Sequence, residues 1–151
     1  MSLTAKLDQD IKEAMKAKEA DKLGALRMLK SSLKYAVIEK GAGSEAELAD
    51  ADVISVVRKR IKQCLDAAEG FAKGGREEQA AKEKAEIALL EAYLPAALSA
   101  DELATLVREA IAATGATGKA QMGAVMKAVM AKAAGRTDGK AVNAEVLKQL
   151  G

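Results

Sequence analysis

Between two stretches of helical periodicity lies Gly135-Arg136-Thr137-Asp138-Gly139-Lys140, two glycines and two cations around one acid. Backbone N–H groups at a helix start, with a guanidinium or ammonium beside them, are a combination that binds phosphate. Asp138 suits the cap of the helix that follows and Gly135 the end of the one before, so those positions have a structural explanation. Gly139 completes the loop. Arg136 and Lys140 are left for an anion. The stretch from Gly118 to Lys140 holds Lys119, Lys127, Lys132, Arg136 and Lys140 against the single acid Asp138, whereas the whole chain carries only +2. A second basic group is Arg27, Lys30 and Lys34, which spacings of three and four place on one helix face. It reads either as a phosphate-tracking face or as an ordinary solvated one.

Other segments carry weaker chemistry. Gly41-Ala42-Gly43-Ser44-Glu45-Ala46 fits a loose dinucleotide-binding pattern, but the segment before it is helical and that site needs a strand. A flexible helix connection is the expectation there. Met122, Val125, Met126, Val129 and Met130 form a stripe that suits core packing better than an adaptable groove. Cys64 is in register with Ile61, Leu65 and Ala68, as a buried structural thiol would be. Most acids stand three or four residues from a base, the usual content of a solvated helix face.

Absences narrow the function classes. The 151 residues include no His, one Cys and three aromatic residues, Tyr35, Phe71 and Tyr93. A catalytic triad with His, a His base and a His-ligated metal are excluded. One cysteine makes neither an internal disulfide nor a Cys-type zinc site, which fits a reducing compartment such as the cytoplasm. Few aromatics disfavour a base-stacking platform for single-stranded RNA. Uncharged stretches reach about nine residues against the roughly 20 of a membrane span, and Lys6, Asp8 and Asp10 stand where a signal peptide would be apolar. No catalytic residue, metal site or cofactor is expected.

The elements that must position these residues are helices throughout. Alanine supplies 34 of 151 residues and proline one, and no segment alternates like a strand. Leu3, Leu7, Ile11 and Met15 mark a first helix; Leu26, Leu29, Leu33 and Val37 a second, capped by Asp21. A third starts near Asp50 or Asp52, carries Val53, Val57, Ile61, Cys64, Leu65, Ala68 and Phe71, and stops at Gly74-Gly75. A fourth runs from about Glu77 to Leu94, where Pro95 ends it. Ser99 and Glu102 form a capping box for a fifth that Gly115 terminates. A sixth spans about Lys119 to Ala134, and a short last helix uses Val142, Val146, Leu147 and Leu150. The reading is all-α: an N-terminal helical bundle with long helices, 1–94, and a small C-terminal three-helix lobe, 96–151.

Several separated motifs stand in order along essentially the whole chain: Arg27-Met28-Leu29-Lys30-Ser31, Gly74-Gly75-Arg76-Glu77, Glu86-Ile87 through Tyr93-Leu94-Pro95 with Leu98-Ser99, Met122-Gly123-Ala124-Val125-Met126, and the Gly135–Lys140 loop followed by Val142-Asn143. Together they resemble the GatB/YqeY group. Thr137 stands where many relatives have Ala. The resemblance implies an N-terminal helical bundle and a C-terminal lobe similar to the tail domain of the GatB subunit of glutamine-dependent tRNA amidotransferase. That tail helps hold the tRNA body, and the positions corresponding to it here are Lys127, Gly135, Arg136, Asp138 and Lys140. The resemblance also implies a carbon–nitrogen ligase activity with glutamine as amide donor. The residues themselves offer neither a Gly-rich Ser pair beside a Lys nor a Gly-Lys-Ser/Thr phosphate loop for it.

The first expectation is therefore a cytoplasmic module that binds tRNA or another structured RNA by shape and charge. Its contacts would be Lys127, Lys132, Arg136 and Lys140, with Arg27, Lys30 and Lys34 as a second face. The alternative is a protein-interaction adaptor that docks on amidotransferase subunits or another translation factor through the apolar Ala/Met surface of the small lobe.

Overall fold

A computed structural model describes residues 2–150, and every regular element among them is helical. The order is α1 (Leu3–Lys16), α2 (Ala20–Lys40), α3 (Asp50–Lys73), α4 (Glu77–Glu91), α5 (Ala100–Thr114), α6 (Met122–Ala133) and α7 (Gly139–Leu150). Short 3₁₀ turns at Glu45–Glu47 and Lys119–Gln121 precede α3 and α6. The chain divides into two compact units, Met1–Leu94 and Pro95–Gly151.

The N-terminal unit is built on α1 to α4. The Ser2 hydroxyl accepts the Ala5 N–H, and Asp50 at the start of α3 accepts the Leu3 N–H at 3.0 Å. Asp21 lies inside the first turn of α2 and is not its cap. The chain turns too tightly for the expected start: Lys18 takes φ 58° and the Glu19 N–H returns to the Ala14 carbonyl at 3.1 Å, so the helix begins at Ala20. Asp52 accepts the Ala49 N–H at 3.2 Å and fixes the start of α3. Gly74 and Gly75 (φ 75°) return the chain into α4. Arg60 meets Glu86 and Cys64 meets Glu83 along this pair, which sets α3 and α4 antiparallel.

Leu7, Leu26, Leu29, Leu33, Val53, Val57, Ile87 and Leu90 fill the core between these helices. Met15 is not on that face and is exposed, with Ala14 buried in its place. Steps of four residues advance a helix by 400°, so the Leu3–Met15 series drifts some 120° off the core. The same 100° step carries Leu65 beside buried Cys64, and Leu147 beside buried Val146, out to solvent.

Helix α4 stops at Glu91, short of the expected Leu94. The Tyr93 and Leu94 N–H groups reach back three residues, to Leu90 and Glu91, which tightens the turn and swings Tyr93 inward. Tyr93 is 2% exposed. Its hydroxyl donates to Asp10 on α1, and the Lys6 ammonium sits 4.5 Å from the ring centroid while bonding the Ala92 carbonyl at 2.8 Å. Burial first, and the neighbouring Asp10 carboxylate second, push the Tyr93 hydroxyl pKa far up.

The C-terminal unit is a three-helix lobe, α5 to α7, around Val107, Ala110, Val125, Val129, Val142 and Val146. Ser99 accepts the Glu102 N–H at 3.1 Å and Glu102 accepts the Ser99 N–H at 3.4 Å, so the expected capping box is formed. Gly115 ends α5 at φ 68°. The sixth helix starts at Met122 rather than Lys119, because the preceding turn closes as 3₁₀. Met122, Met126 and Met130 pack against the core cluster, as a core stripe rather than a groove.

Candidate nucleic-acid interface

The Gly135–Lys140 loop is shaped by its own hydrogen bonds. Ala134 (φ 49°) and Gly135 (φ 82°) both take left-handed backbone to end α6, which glycine tolerates and alanine does at a cost of about 1 kcal/mol. Asp138 Oδ1 accepts the Ala141 N–H at 2.8 Å and caps α7. Thr137, between them, is buried. Gly139 is the first residue of α7.

Arg136 works mostly inward. Its Nε donates to the Ala96 carbonyl at 2.9 Å, its Nη2 meets Glu102 Oε2 at 3.2 Å, and its carbonyl accepts the Leu98 N–H at 2.9 Å. These bonds tie the segment before α5 to the loop before α7. The Arg136 side chain is still 41% exposed. Its role is positional first, and a phosphate would compete with Glu102 for it.

Lys132 and Arg136 border a cleft of about 450 Å³ whose α5 wall carries Asp101, Glu102 and Glu109. The sequence reading missed this acidic wall. Asp101, Glu102, Thr105 and Glu109 share one helix face by phase, so the signal was present. A polyanion approaching Lys132 from the cleft meets like charge. Lys127 on α6 and Lys140 in the first turn of α7 are exposed and form no ion pair among the described residues. Lys140 also stands at the positive end of the α7 dipole, where a cation does not help the helix.

The second basic face separates in the same way. Lys30 is committed: it bonds Asp8 and lies 3.8 Å from Glu45. The Asp8 bond, supported by the charges of Asp8 and Glu45, raises its pKa despite partial burial. Arg27 and Lys34 remain exposed without an ion pair among the described residues, beside exposed Met28, Tyr35 and Ile38. Apolar side chains at 71% and 75% exposure (Tyr35 and Ile38) are a poor setting for phosphates.

One group could hold a cation. Cys64, Glu83 and Glu86 place ligand atoms within 4.8 Å of one another. Arg60 already neutralises Glu86 at 3.0 Å, and burial, with Glu83 accepting its proton, pushes the Cys64 thiol up to about 12. Among the described residues no helix is long and apolar enough to cross a membrane.

A family model described as "Yqey-like protein" matches residues 4–150. The chain belongs to the YqeY-like family. Among curated proteins it is 35% identical over 102 residues to "Altered inheritance of mitochondria protein 41, mitochondrial" of Eremothecium gossypii, covering 66% of this chain and 54% of that protein. It is 31% identical over 94 residues to an uncharacterised protein of Schizosaccharomyces pombe, covering 62% of this chain and 73% of that protein. The match thus spans about half of the first relative's length. For this YqeY-like chain the helices of the structure bear out the all-α reading, and ligand and partner are left to be argued from the surface.

Proposed function

We propose that this YqeY-like protein is an RNA-binding accessory module, fitted to tRNA or another structured RNA, which works in a reducing compartment such as the cytoplasm. The observation that carries the reading is the pair Lys127 and Lys140. Both are exposed, without an ion pair among the described residues, in a stretch whose acid, Asp138, is spent on capping α7. Such cations bind backbone phosphates and release counterions, reading shape rather than sequence. Lys132 adds to them from the rim of the acidic cleft, and Arg136 acts by holding the loop. Arg27 and Lys34 are left out because of their apolar surroundings.

The alternative adaptor role has less support in the small lobe, since its methionines pack inward. A link to tRNA-dependent amidation is compatible with RNA binding. The chain alone is expected to give no glutamine-dependent amidation of charged tRNA.

A gel shift with a folded tRNA transcript at low salt tests the reading. Binding by the native chain and a loss of about tenfold or more in Lys127→Gln/Lys140→Gln supports it. No shift, or an unchanged one in the double variant, overturns it.

A further inference from the structure

Arg136 is held by a carboxylate that has a second duty. Glu102 Oε2 accepts the Ser99 N–H at 3.4 Å, which closes the α5 capping box, and also the Arg136 Nη2 at 3.2 Å. One oxygen thus serves a helix start and an ion pair. The pair lies half in solvent, where water and salt weaken it, so it opens easily. Opening strands neither partner. Glu102 keeps the Ser99 N–H and its place at the positive end of α5. Arg136 keeps its Nε bond to the Ala96 carbonyl at 2.9 Å and stays in position.

The charges around the pair are closely balanced. Lys132, in the last turn of α6, borders the same cleft as Arg136, opposite Asp101, Glu102 and Glu109. Arg108 joins this group from α5, bonding Thr105 of the cleft wall at 3.3 Å. Three cations and three acids cancel. Without the Glu102 charge the group is positive and the Arg136 Nη2 is open to an anion.

On the reading that this lobe binds RNA, we infer that Glu102 is a positioning residue that restrains that binding: it holds Arg136 Nη2 and keeps in reserve a phosphate contact additional to Lys127 and Lys140. A phosphate reaching Arg136 exchanges one charge-assisted bond for another, on a fork already anchored at Nε. Glu102 therefore sets how much positive charge the lobe offers to an RNA backbone, and Arg136 is the charge it withholds.

The test is the affinity of the full-length chain for a folded tRNA transcript across salt. Glu102→Gln still offers the Ser99 N–H an oxygen, so α5 keeps its cap. It should bind about fivefold more tightly than the native chain, with log K against log salt steeper by about one. The gain should vanish in Glu102→Gln/Arg136→Gln. Asp101→Asn removes a charge from the same wall without touching Arg136 and should gain at most about twofold. If Glu102→Gln lowers the urea midpoint, Glu102→Asp takes its place. That variant keeps an acid at the helix start but draws its oxygens back by one methylene, and should give a smaller gain with the same dependence on Arg136. No gain in either Glu102 variant, a gain that survives loss of Arg136, or one matched by Asp101→Asn overturns the inference. The loss of binding in Lys127→Gln/Lys140→Gln would then still support the RNA reading. A native chain that shifts no tRNA, beside a Glu102→Gln chain that does, would overturn the RNA reading of the native surface and leave the restraint standing. No shift by either chain overturns both.

Discussion

The two units solve the same problem, fixing a short non-helical segment on a helical core, by different chemistry. In the N-terminal unit a buried aromatic ring does it. Tyr93 is inserted into a leucine-rich core, with Asp10 on its hydroxyl and Lys6 over its face. In the C-terminal unit a half-exposed guanidinium does it, through the Ala96 carbonyl and Glu102. The core beneath is valine and alanine. Small side chains let three short helices approach closely but bury less apolar area each. That unit therefore depends more on its polar ties and on its cap, Asp138. A cation held in such a tie is also less available to a ligand, which is why we propose Lys127 and Lys140, rather than the loop's Arg136, as phosphate contacts.

Substitutions should separate the two designs. The largest effect is expected from Leu33→Ala, which empties the leucine core and should cost about 3 kcal/mol in urea unfolding; Val129→Ala in the small lobe should cost about 2 kcal/mol. Equal losses would erase the distinction between the cores. Tyr93→Phe keeps the ring but removes the hydroxyl from Asp10, and should cost about 1.5 kcal/mol. Arg136→Ala, at a partly exposed site, should cost about 1 kcal/mol and speed hydrogen exchange at the Leu98 and Glu102 amides while leaving Tyr93 unaffected.

A smaller effect concerns pH. The Cys64 thiol is raised from an ordinary 9.0 to about 12 in the folded chain. Its protonated form is what folding favours, so its contribution is complete below about pH 9 and is lost as pH rises toward 12. The urea midpoint should fall across that alkaline range, less steeply in Cys64→Ala. Tyr93, raised as well, adds loss in the same direction above its ordinary pKa. At pH 8 the native thiol should be almost inert to a disulfide reagent and react fully on unfolding.

Much of the fold was legible because helical phase and caps are local. Ser99-Glu102, Gly115 and Asp138 act as the sequence suggests. The misjudged ends had two kinds of cause. Asp21 loses its capping role to a local backbone turn at Lys18, whose left-handed φ no residue type there announces, and α4 ends early because Tyr93 is drawn to Asp10 on a distant helix. The candidate site was legible as residue types but not as partners. Nothing near Arg136 in sequence reveals Ala96, and nothing near Lys30 reveals Asp8. The α5 acids and the exposed face of α2 could have been found from helical phase alone, by asking which residues lie opposite the core.

The phosphate reading is tested most directly by the salt dependence of tRNA affinity. The slope of log K against log salt should be negative, and its magnitude should fall by about one for each of Lys127→Gln and Lys140→Gln. It should change little in Arg27→Gln/Lys34→Gln. A slope near zero, or one that Lys127→Gln and Lys140→Gln leave unchanged, would contradict the account.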